Sequence, residues 1–124
     1  MKVIIAGGRD ITDFNCVRTA YEKSGFIASE IVSGGARGVD YLGELLAKIL
    51  NISTKVFPAD WNTHGRKAGA IRNGQMAEYA DALIAVWDGE SKGTANMISQ
   101  ARSKGLEVFV YLVGEKYDRE SIDH

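Results

Sequence analysis

One cysteine, one proline and two histidines among 124 residues remove several classes of function at once. A lone Cys16 cannot close an internal disulfide or build a zinc cluster, which suits a reducing compartment. Its place beside Val17, two residues after Phe14, reads as core packing. With one proline, long structureless linkers are not expected. No second His or Cys stands at a ligand spacing and the carboxylates form no calcium loop, so neither a metal nor a cofactor is predicted. Of the two histidines, His64 is the one candidate for proton transfer, since His124 is terminal. Charge of one sign is missing too: fifteen basic and sixteen acidic residues leave a net −1, which does not provide a broad surface for DNA or RNA. The opening Met1 to Ala6 run stops at Gly7-Gly8, too soon for a signal peptide, and no run reaches membrane-spanning length. The expectation is a cytoplasmic protein without a membrane partner.

What the chain does have is glycine, fourteen residues of it. Glycine-containing turns follow the predicted strands, beginning with Val3-Ile4-Ile5-Ala6, an apolar run of the kind buried on both faces of a parallel sheet. Similar runs stand at Glu30 to Ser33, Thr54 to Pro58, Ala82 to Trp87 and Glu107 to Leu112. Helical periodicity fills the intervals: Phe14, Val17 and Tyr21; Leu42, Leu45, Leu46 and Ile49; Thr94, Ile98 and Ala101. Thr12 or Asp13 can cap the first helix before Gly25, and Ser91 or Thr94 the last before Gly105. This alternation predicts an α/β, Rossmann-like three-layer sandwich with a five-stranded parallel sheet in the order 3-2-1-4-5. Residues 1–113 would form the single domain and 114–124 a polar tail. Self-association is allowed for through apolar Tyr79, Leu106 and Phe109.

In such a sheet the ligand lies beyond the carboxyl ends of the strands, where helix N-termini offer N–H groups to anions. Four segments fall there. Ser33-Gly34-Gly35-Ala36-Arg37-Gly38, followed by Asp40, combines close backbone approach with a hydroxyl and a guanidinium fork. Gly7-Gly8-Arg9 carries another arginine but lacks the G-x-G-x-x-G fingerprint, and no Walker string occurs, so standard NAD binding and ATP hydrolysis are disfavoured. Asp88 and Ser91-Lys92-Gly93-Thr94 open a helix with hydroxyls and amides. Between Asp60 and Met76, Trp61, Lys67, Arg72 and Asn73 bring a stacking surface and charge to a loop passing into a helix, with Arg72-Asn73 interrupting the apolar Ala68, Ile71 and Met76. These residues are the predicted ligand site, and a phosphate-bearing small molecule the predicted partner.

Taken in order, Gly7-Gly8-Arg9-Asp10, the string from Ser33 to Asp40, Ala59-Asp60-Trp61, the string from Gly65 to Asn73 with Met76, Ala80-Asp81 and the string from Ser91 to Ile98 resemble the SLOG superfamily, specifically its YspA-like branch. That superfamily joins Rossmann-like nucleotide-derivative sensors to the LOG phosphoribohydrolases and the DNA-processing protein A family. The resemblance implies a nucleotide-type ligand, such as a nucleotide-sugar or an ADP-ribose-like molecule, over Gly34-Gly35 and the Gly93-Thr94 helix start. It does not imply the LOG reaction: where those enzymes place a catalytic glutamate this chain has Met97, preceded by neutral Asn96. Arg37 or Arg72 would stand for the arginine of the LOG pair. Two readings therefore lead, a binding module and an N-glycosidic hydrolase in which Asp40, Asp60 or Asp88 replaces the glutamate. DNA handling ranks last, because the chain lacks a basic extension.

Overall fold

The computed structural model describes residues 1–114. Five parallel strands form one sheet: β1 (Lys2–Gly7), β2 (Glu30–Ser33), β3 (Ser53–Val56), β4 (Ala82–Trp87) and β5 (Glu107–Leu112), in the order β3-β2-β1-β4-β5. The order follows from two runs of right-handed crossovers that leave β1 in opposite directions, which makes the gap between the ends of β1 and β4 the topological switch point. Helices α1 (Phe14–Ser24), α2 (Val39–Ile49), α3 (Trp61–His64), α4 (Ala68–Tyr79) and α5 (Lys92–Ser103) connect them. The architecture is the predicted Rossmann-like sandwich. The predicted tail beyond residue 114 lies outside the described residues.

Alternation along the strands divides the core in two. Val3 and Ile5 of β1, Ile31 of β2 and Ile84 of β4 face Val17 and Ala20 of α1 and Leu42 and Leu46 of α2. Ile4, Val32 and Leu83, each one residue out of phase, face Met76 of α4 and Met97 and Ile98 of α5. A strand's period of two thus serves both layers from one apolar run. The edge strands differ from the expectation of full burial: every β3 residue is exposed, and the β5 residues are half-buried or exposed. With a neighbour on one side only, these strands keep their pairing and are less covered than the central three.

Local signals place the helix ends. Asp13 caps α1, its Oδ1 accepting from the Asn15 amide at 2.9 Å, and Gly25 closes it at φ 73°. Ser91, not Thr94, caps α5, and Gly105 at φ 80° follows its last turn. The third connection departs from the expected simple passage of loop into helix. Asp60 caps the one-turn α3 through the Thr63 amide at 3.1 Å, a 3-10 turn (Gly65–Lys67) follows, and only then does α4 begin. Cys16 is half-buried against the first core cluster. Tyr79, Leu106 and Phe109 are likewise half-buried against the two clusters, while Ile27, Tyr41, Ile49 and Val56 are more exposed. No helix among the described residues is long and apolar enough to cross a membrane.

Gly7 ends β1 where the backbone passes directly against β4. A Cβ there would overlap the Val86 carbonyl oxygen and lie 2.8 Å from Val39 Cγ2. Neither obstacle is a flexible side-chain end, so relief requires the two central strands to part. Gly7→Ala is expected to lower unfolding free energy by about 3 kcal/mol or to prevent folding, the upper end of overpacking costs. Gly93→Ala, whose Cβ meets nothing within 4 Å, is the control. It should be neutral or raise stability by up to ~1 kcal/mol through helix propensity. Urea unfolding curves of the two variants check both expectations, and equal curves would contradict this account of Gly7.

Candidate functional site

Beyond the carboxyl ends of β1 and β4 lies a cleft of about 720 Å³. Of the residues singled out from the sequence, Gly7, Gly8, Arg9, Asp40, Trp61, Arg72, Asn73, Asp88, Ser91, Lys92, Gly93 and Thr94 line it. A second groove of about 460 Å³ adjoins it and is lined by Gly34, Gly35 and Arg37, with Arg9, Trp61 and Arg72 common to both. Ser33, Gly38, Asp60 and Lys67 line neither. Ser33 is fully buried beneath its turn, accepting from the Gly35 amide at 3.1 Å and donating to Glu44 Oε2 at 2.7 Å. Gly38, at φ 77°, lets α2 start against the Gly8 and Arg9 backbone, where a Cβ would collide with both carbonyl oxygens. Asp60 is occupied in capping α3, and Lys67 and His64 are exposed away from the clefts.

Several lining groups belong to the same segments but lie outside the predicted site residues. Arg66 reaches the larger cleft where its neighbour Lys67 does not, because the α3 to 3-10 break sets the phase of that segment, and no periodicity in Gly65-Arg66-Lys67 reports it. Asn96 and Met97 line the cleft one turn into α5; their distance from Gly93 along a helix was the available signal. Glu90 and Asp10 bring acid to the same wall.

A chain of polar contacts ties the elements around the cleft together. Arg72 on α4 donates from Nη1 to the Gly34 carbonyl at 2.5 Å and from Nε to Asn73 Oδ1 at 3.1 Å. Asn73 Nδ2 in turn donates to Asn96 Oδ1 at 3.0 Å and reaches the Gly93 carbonyl at 3.4 Å. Gln100 Nε2 completes the run, donating to Asn96 Oδ1 at 3.1 Å and to the Ala70 carbonyl at 2.7 Å. Asn73 is buried at 7% exposure whereas Ile71 stands 37% exposed, the reverse of a simple apolar stripe. The inward face of α4 is polar at this point because it must satisfy the ends of two neighbouring elements.

The carboxylates separate by environment. Asp88 Oδ1 accepts from the amides of Glu90 and Ser91, both at 2.8 Å, and these bonds, Ser91 first, hold its carboxyl below the usual range. Asp60 is lowered chiefly by its hydrogen bonds to Thr63. Asp40 is 5% exposed, and burial pushes its carboxyl up to about 6, against the downward pull of the Ala36 amide and the Arg72 charge. Arg72 itself is lowered by burial, with Asp40 acting against the shift and nearby Arg9 adding to it. Among the described residues no three of His, Cys, Asp and Glu converge to hold a metal ion.

Because the folded chain holds the Asp40 proton more tightly than the unfolded chain, whose value is 3.8, the Asp40 contribution to stability is fully present at and below pH ~4 and is lost as pH rises to about 6. Above that the loss is constant, on the order of 3 kcal/mol. Asp40→Asn, which cannot ionise, should therefore gain roughly that amount relative to the parent between pH 4 and pH 7.5. Urea denaturation at the two pH values measures it, and an offset independent of pH would refute the assignment.

Comparison with known proteins places this geometry. A crystal structure described as a predicted subunit of tRNA methyltransferase from Methanocaldococcus jannaschii superposes with a TM-score of 0.53 at 16% identity, covering 99% of this chain and 76% of that one, which supports the fold alone. The Gene 61 protein of Mycobacterium phage D29 is 36% identical over 84 residues, 63% of this chain and 67% of the phage protein. The model of the YspA, cpYpsA-related SLOG family matches residues 1–64, a span that holds β1, β2, β3 and the glycine turns after the first two, but not the Arg72-Asn73 segment or the start of α5. On a match over more than half its length, the chain belongs to the YspA, cpYpsA-related SLOG family.

Proposed function

We propose that this protein binds a nucleotide or nucleotide-derived small molecule at the C-terminal edge of its sheet. The observation that carries the reading is the convergence, at the β1/β4 switch point, of the turns after β1, β2 and β4 with the cations Arg9, Arg66, Arg72 and Lys92. A cleft of about 720 Å³ suits a ligand of nucleotide size. Trp61, 51% exposed, offers a ring face at the rim for a base, with apolar Met97 and Ala70 within the cleft. Trp87 is less suited to stacking, since it packs in the second core cluster and its indole N–H donates to the Ser91 carbonyl at 3.0 Å. Membership of the SLOG family supports a ligand of this class.

A second reading, hydrolysis of an N-glycosidic bond, has one observation in its favour. Asp60 and Asp88 are held below the usual carboxylate range by the hydrogen bonds they accept, but Asp40 lines the cleft with a carboxyl that burial raises to about 6, the condition a general acid requires. Met97, at the place of the LOG glutamate, is buried to 1% exposure and brings no acid. If the protein is a hydrolase, Asp40→Asn abolishes release of free base while Asp60→Asn and Asp88→Asn retain it. A base-release assay with nucleoside monophosphates decides this.

For the binding reading, differential scanning of the protein against AMP, ADP-ribose and a nucleotide-sugar should raise Tm for at least one. At a ligand concentration about a hundredfold above Kd the gain is about 2.7 kcal/mol. Trp61→Phe should remove the fluorescence change that accompanies binding of that ligand. No shift with any of the three, at millimolar ligand, would refute the reading.

A further inference from the structure

The two adjoining grooves differ in charge more than in size. In the larger cleft Arg9, Arg66, Arg72 and Lys92 are balanced by Asp10, Asp40, Asp88 and Glu90. In the smaller, Arg9, Arg37 and Arg72 stand over Gly34 and Gly35, and among the described residues none lining it is acidic. An anion seated there meets three guanidinium groups, with the Asp10 carboxylate paired to one of them.

The start of α5, the other place where an anion could settle, is partly served and carries a carboxylate beside it. Asp88 carboxylate takes the amides of Glu90 and Ser91, and Ser91 Oγ takes that of Thr94 at 3.5 Å. A phosphate arriving there would face the Asp88 charge at close range. Of the cations of the smaller groove, Arg72 is held by the Gly34 carbonyl and Asn73, whereas Arg37 is weakly engaged. Arg37 pairs with Asp10 at 3.4 Å, with the two side chains 76% and 95% exposed, so a ligand can displace Asp10 at little cost. Arg9 adds to the depression of the Arg72 pKa that burial begins, a sign of two like charges held near each other that a bound anion would relieve.

We infer that the site is divided, with the phosphate or diphosphate end of the ligand in the smaller groove between Arg9, Arg37 and Arg72, and its uncharged nucleoside part in the larger cleft beyond Trp61. The nucleoside half of this inference rests on the binding function proposed above; the anion half does not. Trp61, Ala36, Arg9 and Arg72 line both spaces, so one molecule can run through them. The apolar wall of Val56, Pro58 and Ala59 limits the smaller groove to a compact group.

Inorganic pyrophosphate separates the two halves. Titrated into the full ¹⁵N-labelled chain, it should move the amide resonances of Gly35, Ala36 and Arg37 and leave those of Lys92 and Gly93 in place. Arg37→Ala, an exposed position whose fold the same spectra verify, should weaken pyrophosphate and AMP about tenfold, the effect of one charge-assisted hydrogen bond, and leave adenosine unchanged. If pyrophosphate moves the Gly35 to Arg37 amides while AMP and adenosine do not bind, the anion groove stands and the nucleotide reading falls. Movement centred on Lys92 and Gly93, or none anywhere, overturns the division whatever the nucleotides do.

Discussion

Arg72 crosses from the middle of α4 to the turn after β2 and donates to the Gly34 carbonyl, with no room for a side chain between them: a Cβ on Gly34 would stand 2.6 Å from Nη1. The same guanidinium lies against Asp40 and leads, through Asn73 and Asn96, to α5. The rest of the site depends on this group, because α2 packs on one face of the sheet and α4 and α5 on the other, and beyond the strand ends Arg72 ties the turn after β2 to α4. A partly buried arginine is costly unless its N–H groups are used; here the Gly34 carbonyl and the Asn73 side-chain oxygen accept from it, and the nearby Asp40 charge favours it.

That arrangement explains how acids and bases with identical chemistry take different roles. Asp88, Asp60 and Asp13 sit at chain turns, accept amides and secure local structure. Asp40, within α2 and beneath Gly34, is desolvated and gives up its proton only near pH 6. Among the cations, Arg72 is structural and faces both grooves, whereas Arg37 projects into water and is available to a ligand. One edge of the sheet can thus be rigid where its turns meet and open where its arginines project.

Much of the fold was legible because each strand signal was local and strong. Val3-Ile4-Ile5 and Leu83-Ile84 are apolar on both phases, and such strands can be satisfied only between two layers. The caps were legible for the same reason, since Asp13 and Ser91 act within three residues of their own positions. The third connection was not, because α3 and its 3-10 turn comprise a few exposed residues with no periodicity to read, and their phase decides that Arg66 enters the cleft and Lys67 does not.

By itself the sequence determined the alternation of strand and helix, the order of the sheet, and the four glycine-bearing turns that gather at its carboxyl edge, because backbone sterics and apolar patterning act over short distances. Only the tertiary structure decided what those turns do to one another. Asn73 became a buried bridge rather than a ligand group at large, Ser33 turned inward to Glu44, and Asp40 rose towards neutrality. Ser33 and Asn73 depend on partners 11 and 23 residues away and Asp40 on burial under another element, and no local pattern encodes a distance in space or the loss of water around a charge.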